Sequence, residues 1–161
     1  PFFYNHRRTG RPQVRADETR FKSRYLDVTH EPLYPFGHGL GYTRFEYGAV
    51  ELSSDTLPWN GSVTVRATVR NVGARPGREV AQLYRHQRVA TLVRPVRELC
   101  GFQDVTLQPG EAATVSFTLT RADLAYAGAD GRPLTEPGLF DLFIAPSAMA
   151  GSAVTLRLLA P

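Results

Sequence analysis

Hydrolysis by paired carboxylates needs two acids facing each other across a cleft, one giving a proton and one taking it or attacking. The acids of this chain are poorly placed for such work. Asp104, Glu111, Asp123, Asp130 and Glu136 fall beside expected turns or in the outward phase of expected strands. For each of them a solvated surface or loop role outweighs a catalytic one. Asp27 and Glu31 are the acids in an irregular segment that could line a cleft, and there too the surface reading is the stronger.

Other chemistries find as little support. His6, His30, His38 and His86 lack the short spacings that paired metal ligands use, and the single Cys100 supplies neither an internal disulfide nor a cysteine cluster. Cys100 reads as a small core hydrophobe in a strand, His86 as a strand-end surface residue, and His38, between two glycines, as a contact to a neighbouring domain. No Gly-x-Ser-x-Gly elbow is present for a serine nucleophile. Gly37-x-Gly39-x-Gly41 lacks the strand-to-helix context of a phosphate cradle. Sugar binding by stacking would need exposed rings. Trp59, in a loop before Asn60-Gly61, is the one candidate, since Tyr84, Tyr126 and most phenylalanines fall in strands. The expected set of catalytic, substrate-binding, cofactor and metal residues is therefore none, with no cofactor.

What would hold such residues is a β-rich scaffold. The 161 residues are 42% hydrophobic and 21% charged, ordinary for one globular domain with an appendage. Fourteen glycines and twelve prolines imply many turns and short strands. The net charge is +4, and Lys22 is the only lysine among 19 basic residues. The arginines are spread along the chain without a basic helix, which argues against nucleic acid as a partner. No apolar run is long enough to span a membrane as a helix. A start at Pro1 without a leader suggests a piece of a longer protein, and the oligomeric state is open.

Residues 1–44 follow neither helical nor strand periodicity, yet Leu33-Tyr34-Pro35-Phe36 and Leu40-Gly41-Tyr42 are rich in rings. Such a segment reads as a packed linker. From Phe45 the period is two. Val63, Val65, Ala67 and Val69 alternate with Thr64, Arg66, Thr68 and Arg70, the pattern of a strand with one wet face. Val80–Tyr84 is apolar on both faces, as a central strand would be. Val96–Leu107 reads as one strand bent near Gly101, and Val115, Phe117 and Leu119 lie in core phase. Pro109-Gly110 suits a type II turn and Asp130-Gly131 a hairpin. With Glu46–Leu52, Leu139–Ile144 and Val154–Leu158 this makes seven or eight strands, an all-β, immunoglobulin or fibronectin type III-like antiparallel sandwich over 45–161.

Several strings together carry a resemblance. Tyr25-x-Asp27 and Tyr34-Pro35-Phe36-Gly37-x-Gly39-Leu40-x-Tyr42-Thr43-x-Phe45 come first. Val69-x-Asn71-x-Gly73 and Gly77-x-Glu79-Val80-x-Gln82-Leu83-Tyr84 follow. Then come Arg94-Pro95-x-x-Glu98-Leu99-x-Gly101-Phe102, Leu107-x-Pro109-Gly110-Glu111, Val115-x-Phe117 and Glu136-Pro137-Gly138-x-Phe140. In this order they resemble the linker and last domain of glycoside hydrolase family 3 β-glucosidases, and Thr9-Gly10-Arg11-Pro12 resembles the exit from the preceding α/β domain in periplasmic bacterial members. Cys100 stands where Lys is common, and Gly41 where Ser is.

The resemblance implies a fibronectin type III-like accessory domain whose partners are the catalytic domains of the same polypeptide. It implies that residues 1–44 are the linker and the tail end of the α/β domain. The nucleophile and the acid/base of such enzymes lie in the earlier domains, so no catalytic residue carries over onto this chain. A periplasmic or secreted location, and release of terminal β-linked glucose by a retaining reaction, are implied for the whole protein. The alternative is a free-standing carbohydrate-binding or adhesive sandwich.

Overall fold

The computed structural model describes residues 4–7 and 31–161. Valine- and threonine-rich stretches become strands because branched side chains pack well on a pleated surface, and Gly and Pro punctuate them. In chain order the strands are β1 (Phe45–Tyr47), β2 (Glu51–Leu52), β3 (Thr56–Leu57), β4 (Ser62–Asn71), β5 (Gly77–Gln87), β6 (Glu98–Leu107) and β7 (Ala112–Thr120). After a 3-10 turn at Arg121–Leu124 come β8 (Tyr126–Ala127), β9 (Pro133–Leu134), β10 (Gly138–Ala145) and β11 (Val154–Leu158).

Two sheets face each other. In the first, β4 pairs with β7 on one side and with β1 and β2 on the other. The second runs β3-β11-β10-β5-β6, antiparallel except between β3 and β11. A small β8–β9 ribbon lies apart. The expected sandwich is what forms.

The alternation read along β4 holds residue by residue. Val63, Val65, Ala67 and Val69 are buried, and with Val115 and Leu119 they meet Ala81, Leu83, Phe140, Leu142, Ile144, Leu156 and Leu158 of the other sheet. Phe117 packs against this core but is only half-buried, and Thr118 points to solvent. The turn Gln108–Glu111 is closed by the Glu111 amide on the Gln108 carbonyl at 3.0 Å, with Gly110 at φ +78° as a type II turn requires.

Three details differ from what the sequence predicts. Glu46–Leu52 is not one strand but two short ones, β1 and β2, which bind different stretches of β4. The two-residue β3 is too short to show a period and has no counterpart in the predicted elements. β6 starts at Glu98, and its bend is a slip in register: Leu83 faces Gly101 while Tyr84 faces Leu99, so Cys100 is the extra residue. A Cβ at Gly101 would come within 3.1 Å of the Phe117 ring, which explains the glycine there.

One buried polar side chain organises an end of the sandwich. Asn71, fully buried, donates from Nδ2 to the carbonyls of Arg75 (2.7 Å) and Leu107 (3.0 Å). Its Oδ1 accepts from the Thr43 hydroxyl (2.7 Å) and the Gly73 amide (3.0 Å). Thr43 sits so close that a Cβ at Gly73 would lie 2.1 Å from its Oγ1, and one at Gly77 would lie 2.4 Å from its methyl. The Asn71-x-Gly73 and Gly77 spacings are thus the shape of a socket for Thr43.

Two stability tests follow. Phe117→Ala is expected to cost roughly 2–3 kcal/mol, the low end for a phenylalanine because the ring is half-buried, while Thr118→Ala stays within about 0.5 kcal/mol. Thermal melts of both variants check this, and a larger loss for Thr118→Ala would mean the register is wrong. Asn71→Ala leaves several buried partners unsatisfied and is expected to cost roughly 2–4 kcal/mol, a fall of about 5–15 °C in Tm.

Candidate functional site

The five sandwich acids that might have done chemistry each hold a local structural contact. Asp104, expected near a loop, lies inside β6 and pairs with Arg78 across to β5 at 2.9 Å. Glu111 accepts from the Gln108 amide, and Asp123 accepts from both the amide and the hydroxyl of Thr120, each at 2.7 Å. Asp130 accepts from the Arg132 amide at 3.0 Å. Glu136 receives the Thr91 amide at 3.0 Å, the Thr91 hydroxyl at 2.5 Å and the Tyr126 hydroxyl. These bonds hold its carboxyl below the usual range. Glu31 is exposed, while Asp27, His30 and Tyr25 lie outside the described residues.

One carboxyl is pushed the other way. Burial raises Glu79, which accepts from the Tyr47 hydroxyl at 2.8 Å. A raised carboxyl can mark a general acid. Here the pair joins β1 of one sheet to β5 of the other, so its geometry is that of a tie between sheets.

The other candidates are likewise absorbed by packing. Cys100 is half-buried against the core, its thiol 3.4 Å from the Leu83 carbonyl and pushed up to about 12 by burial. Burial of this kind disfavours the thiolate, the reactive form. A ring nitrogen of His86 lies 2.8 Å from the Pro95 carbonyl, and His38 is exposed with its ring 5.3 Å from that of Tyr34. Trp59 is not the exposed platform that its loop position suggests. It packs on the core, and the guanidinium of Arg121 sits 5.0 Å from its ring centroid.

Two features are unexplained by a bare sandwich. The first is a chain of charges at one end. Glu98 lies 2.6 Å from Arg94 and 3.7 Å from Arg85, Arg94 stacks 4.0 Å from the Tyr126 ring, and Tyr126 reaches Glu136. Arg85 also donates to the carbonyls of Asp123 and Ala125. This chain gives Arg94-x-x-x-Glu98 and Glu136 a purpose: they fix the β5–β6 loop to the β8–β9 ribbon. Arg88 does similar work on the outer face, meeting Asp141 at 2.6 Å and Thr155 at 2.8 Å and lowering the Asp141 carboxyl.

The second feature is the outer face of the five-stranded sheet. Tyr84 is fully buried on the same face as Gln82, whose Oε1 accepts from its hydroxyl. The Leu99 amide donates to the Tyr4 hydroxyl, the Val96 amide donates to the His6 carbonyl at 2.9 Å, and Arg7 bridges Pro95. Tyr4 stacks on Phe36 with ring centroids 3.9 Å apart. Between these segments, Val96–Arg97 and Ala148–Met149 lies a pocket of about 130 Å³. Sites for drug-sized molecules usually run to about 300–1,000 Å³, well above this volume. The other side of the 31–43 segment is wet: Leu33, Leu40 and Tyr42 are 86%, 92% and 92% exposed. Of the apolar residues that the sequence expects to be packed, Phe36 stacks on Tyr4 and Tyr34 lines the pocket, while Leu33, Leu40 and Tyr42 are left open on this chain. Gln82, which anchors the segment, is not among the residues that sequence reasoning singles out for a site. The signal that could have found it is a polar residue in the middle of the apolar run Val80–Tyr84.

Comparison with known proteins adds the wider setting. Residues 79–148 match the fibronectin type III-like domain family. A periplasmic β-glucosidase of Salmonella typhimurium is 42% identical over 89% of this chain, and a β-xylosidase of Formosa agariphila 38% over 85%. The match takes up 19% of each of those relatives, so the chain spans about a fifth of their length. A β-glucosidase from Listeria innocua, solved with glucose, superposes on 98% of this chain with a TM-score of 0.90 at 37% identity, again over 22% of its own length. The fold, the matched strings and these likenesses agree: residues 79–148 carry a fibronectin type III-like domain, and the chain is similar to a segment of β-glucosidases about a fifth of their length.

Proposed function

We propose that this chain is the non-catalytic accessory and stabilising part of a family 3 glycoside hydrolase. In this reading residues 1–44 are the linker and the end of the preceding α/β domain, and residues 45–161 are the sandwich. No residue of the chain is catalytic or binds substrate, cofactor or metal. Its partners are the catalytic domains of the same polypeptide. The whole protein releases terminal β-D-glucose with retention of configuration and works in the periplasm or outside the cell, as the name of the Salmonella relative suggests.

One observation carries this reading. A segment whose carbonyls are bonded to the sandwich turns Leu33, Tyr34, Leu40 and Tyr42 outward, between 68% and 92% exposed. Clustered apolar exposure of this kind marks a surface made to be covered. The relatives are about five times as long as this chain, which supplies an obvious cover. The capping of Trp59 by Arg121 weighs against the free-standing sugar-binding alternative.

The purified chain is expected to hydrolyse aryl β-glucosides and β-xylosides no faster than buffer, since a retaining reaction needs two carboxyls about 5 Å apart. Turnover by the chain that disappears in Asp27→Asn or Glu31→Gln would overturn the proposal. A double variant, Leu40→Asp with Tyr42→Asp, is expected to leave the Tm of this chain within about 2 °C, because both side chains are already wet. In the complete polypeptide the same pair is expected to cost several kcal/mol by burying charge, visible as a lowered Tm. Equal, small effects in both would remove the support for a covered face.

A further inference from the structure

We propose that the outer face of β5 is a docking site for this chain's own segment Pro35–Thr43, latched by Gln82, and that the segment leaves this face while the sandwich stays folded. Gln82 is only 7% exposed in the middle of a central strand, and its amide makes every contact expected of a latch. Nε2 donates to the Gly37 carbonyl at 3.2 Å and to the Pro146 carbonyl at 2.6 Å, and Oε1 accepts from the Tyr84 hydroxyl. The neighbouring Phe36 carbonyl accepts from the Ala148 amide at 2.9 Å.

The site reads a peptide rather than a small molecule. It takes hold of two successive carbonyls, and it selects glycine between Phe36 and His38. Gly37 has φ +81°, and a Cβ there would lie 2.0 Å from Gln82 Oε1. The far end is held by Thr43 in its socket on Asn71. Between the two ends, among the described residues, the grip is loose: a Cβ at Gly39 would meet no atom within 4 Å, and Leu40 and Tyr42 are exposed.

Separate opening follows from what holds each part. The sandwich is held by buried apolar contacts between two sheets. The segment is held by a few hydrogen bonds at its ends and by one partly buried ring, Phe36 on Tyr4, far less apolar contact than joins the two sheets, the composition of a unit that opens locally at low cost. The Ala148 amide reports the closed state, because its acceptor is in the segment.

Amide hydrogen exchange on this 161-residue chain, resolved by residue, is the test. In the unaltered chain Ala148 should exchange at least about a hundredfold faster than the β4 and β7 ladder amides, as local opening precedes global unfolding. Gln82→Leu removes the donor, and Gly37→Ala places a methyl against it. Each should speed Ala148 about tenfold, the loss of a hydrogen bond or so, with the ladder unchanged. Exchange of Ala148 at the ladder rate in the unaltered chain would overturn the proposal. So would variants that leave Ala148 alone or speed ladder and Ala148 by the same factor. Because the measurement needs only this chain, its outcome is independent of the hydrolase reading.

Discussion

A single buried amide holds one end of this molecule together. Asn71 closes β4, fixes the β4–β5 turn through Gly73 and Arg75, reaches the last carbonyl of β6, and anchors Thr43 before the first strand. Its own backbone joins the β6–β7 turn, the amide donating to the Glu111 carbonyl and the carbonyl accepting from the Gly110 amide, both at 2.9 Å. An amide is the right group for this work. It offers two donors and an acceptor with two lone pairs, and in a fully buried position each of them needs a partner. A carboxylate would supply no donor for the two carbonyls, and an apolar side chain would leave all four partners stranded. Two glycines are then imposed on the sequence because the hydroxyl and methyl of Thr43 occupy the space their side chains would need.

The rest of the polar chemistry is of the same kind. Arg85, Arg94, Glu98, Tyr126 and Glu136 form one continuous set of contacts between a loop and a ribbon that share no backbone ladder. Arg88, just past the end of β5, holds Asp141 of β10 and Thr155 of β11 on the solvent side. Partly exposed ion pairs of this sort contribute little one by one. Their value lies in geometry, since each fixes a loop that the core does not reach. Carboxyls spent in this way are lowered by their donors, as Glu136 and Asp141 are, whereas an acid catalyst at neutral pH needs the opposite shift.

The sandwich is legible in the sequence because its signal is repeated many times. Four valines and alanines in alternate positions of β4 fix which face is inward, and the partner strands repeat the pattern. Short elements carry too few residues to show a period, so β3 leaves no trace and β1 and β2 read as one strand. Trp59 illustrates a different limit. Loop position predicts exposure only until a distant residue such as Arg121 folds over the ring, and that contact spans 62 positions from 59 to 121. The exposed face of the 31–43 segment is legible only as apolar surplus. Which rings turn toward the sandwich and which turn away depends on where Gln82 and Ala148 hold the backbone, and neither is near in sequence.

The central claim is that this domain serves the rest of a larger polypeptide by presenting an apolar segment to it. Hydroxyl-radical footprinting read by mass spectrometry tests that claim directly, on this chain alone and on the complete protein. Tyr42 and Leu40, 92% exposed in this chain, should be modified readily when the chain is alone. In the complete protein their modification should fall by about tenfold, as burial of an apolar surface requires, while Phe102, 69% exposed on the outer face of β6, should serve as a comparison within the same sheet. Equal modification of Tyr42 and Leu40 in both samples would contradict the account.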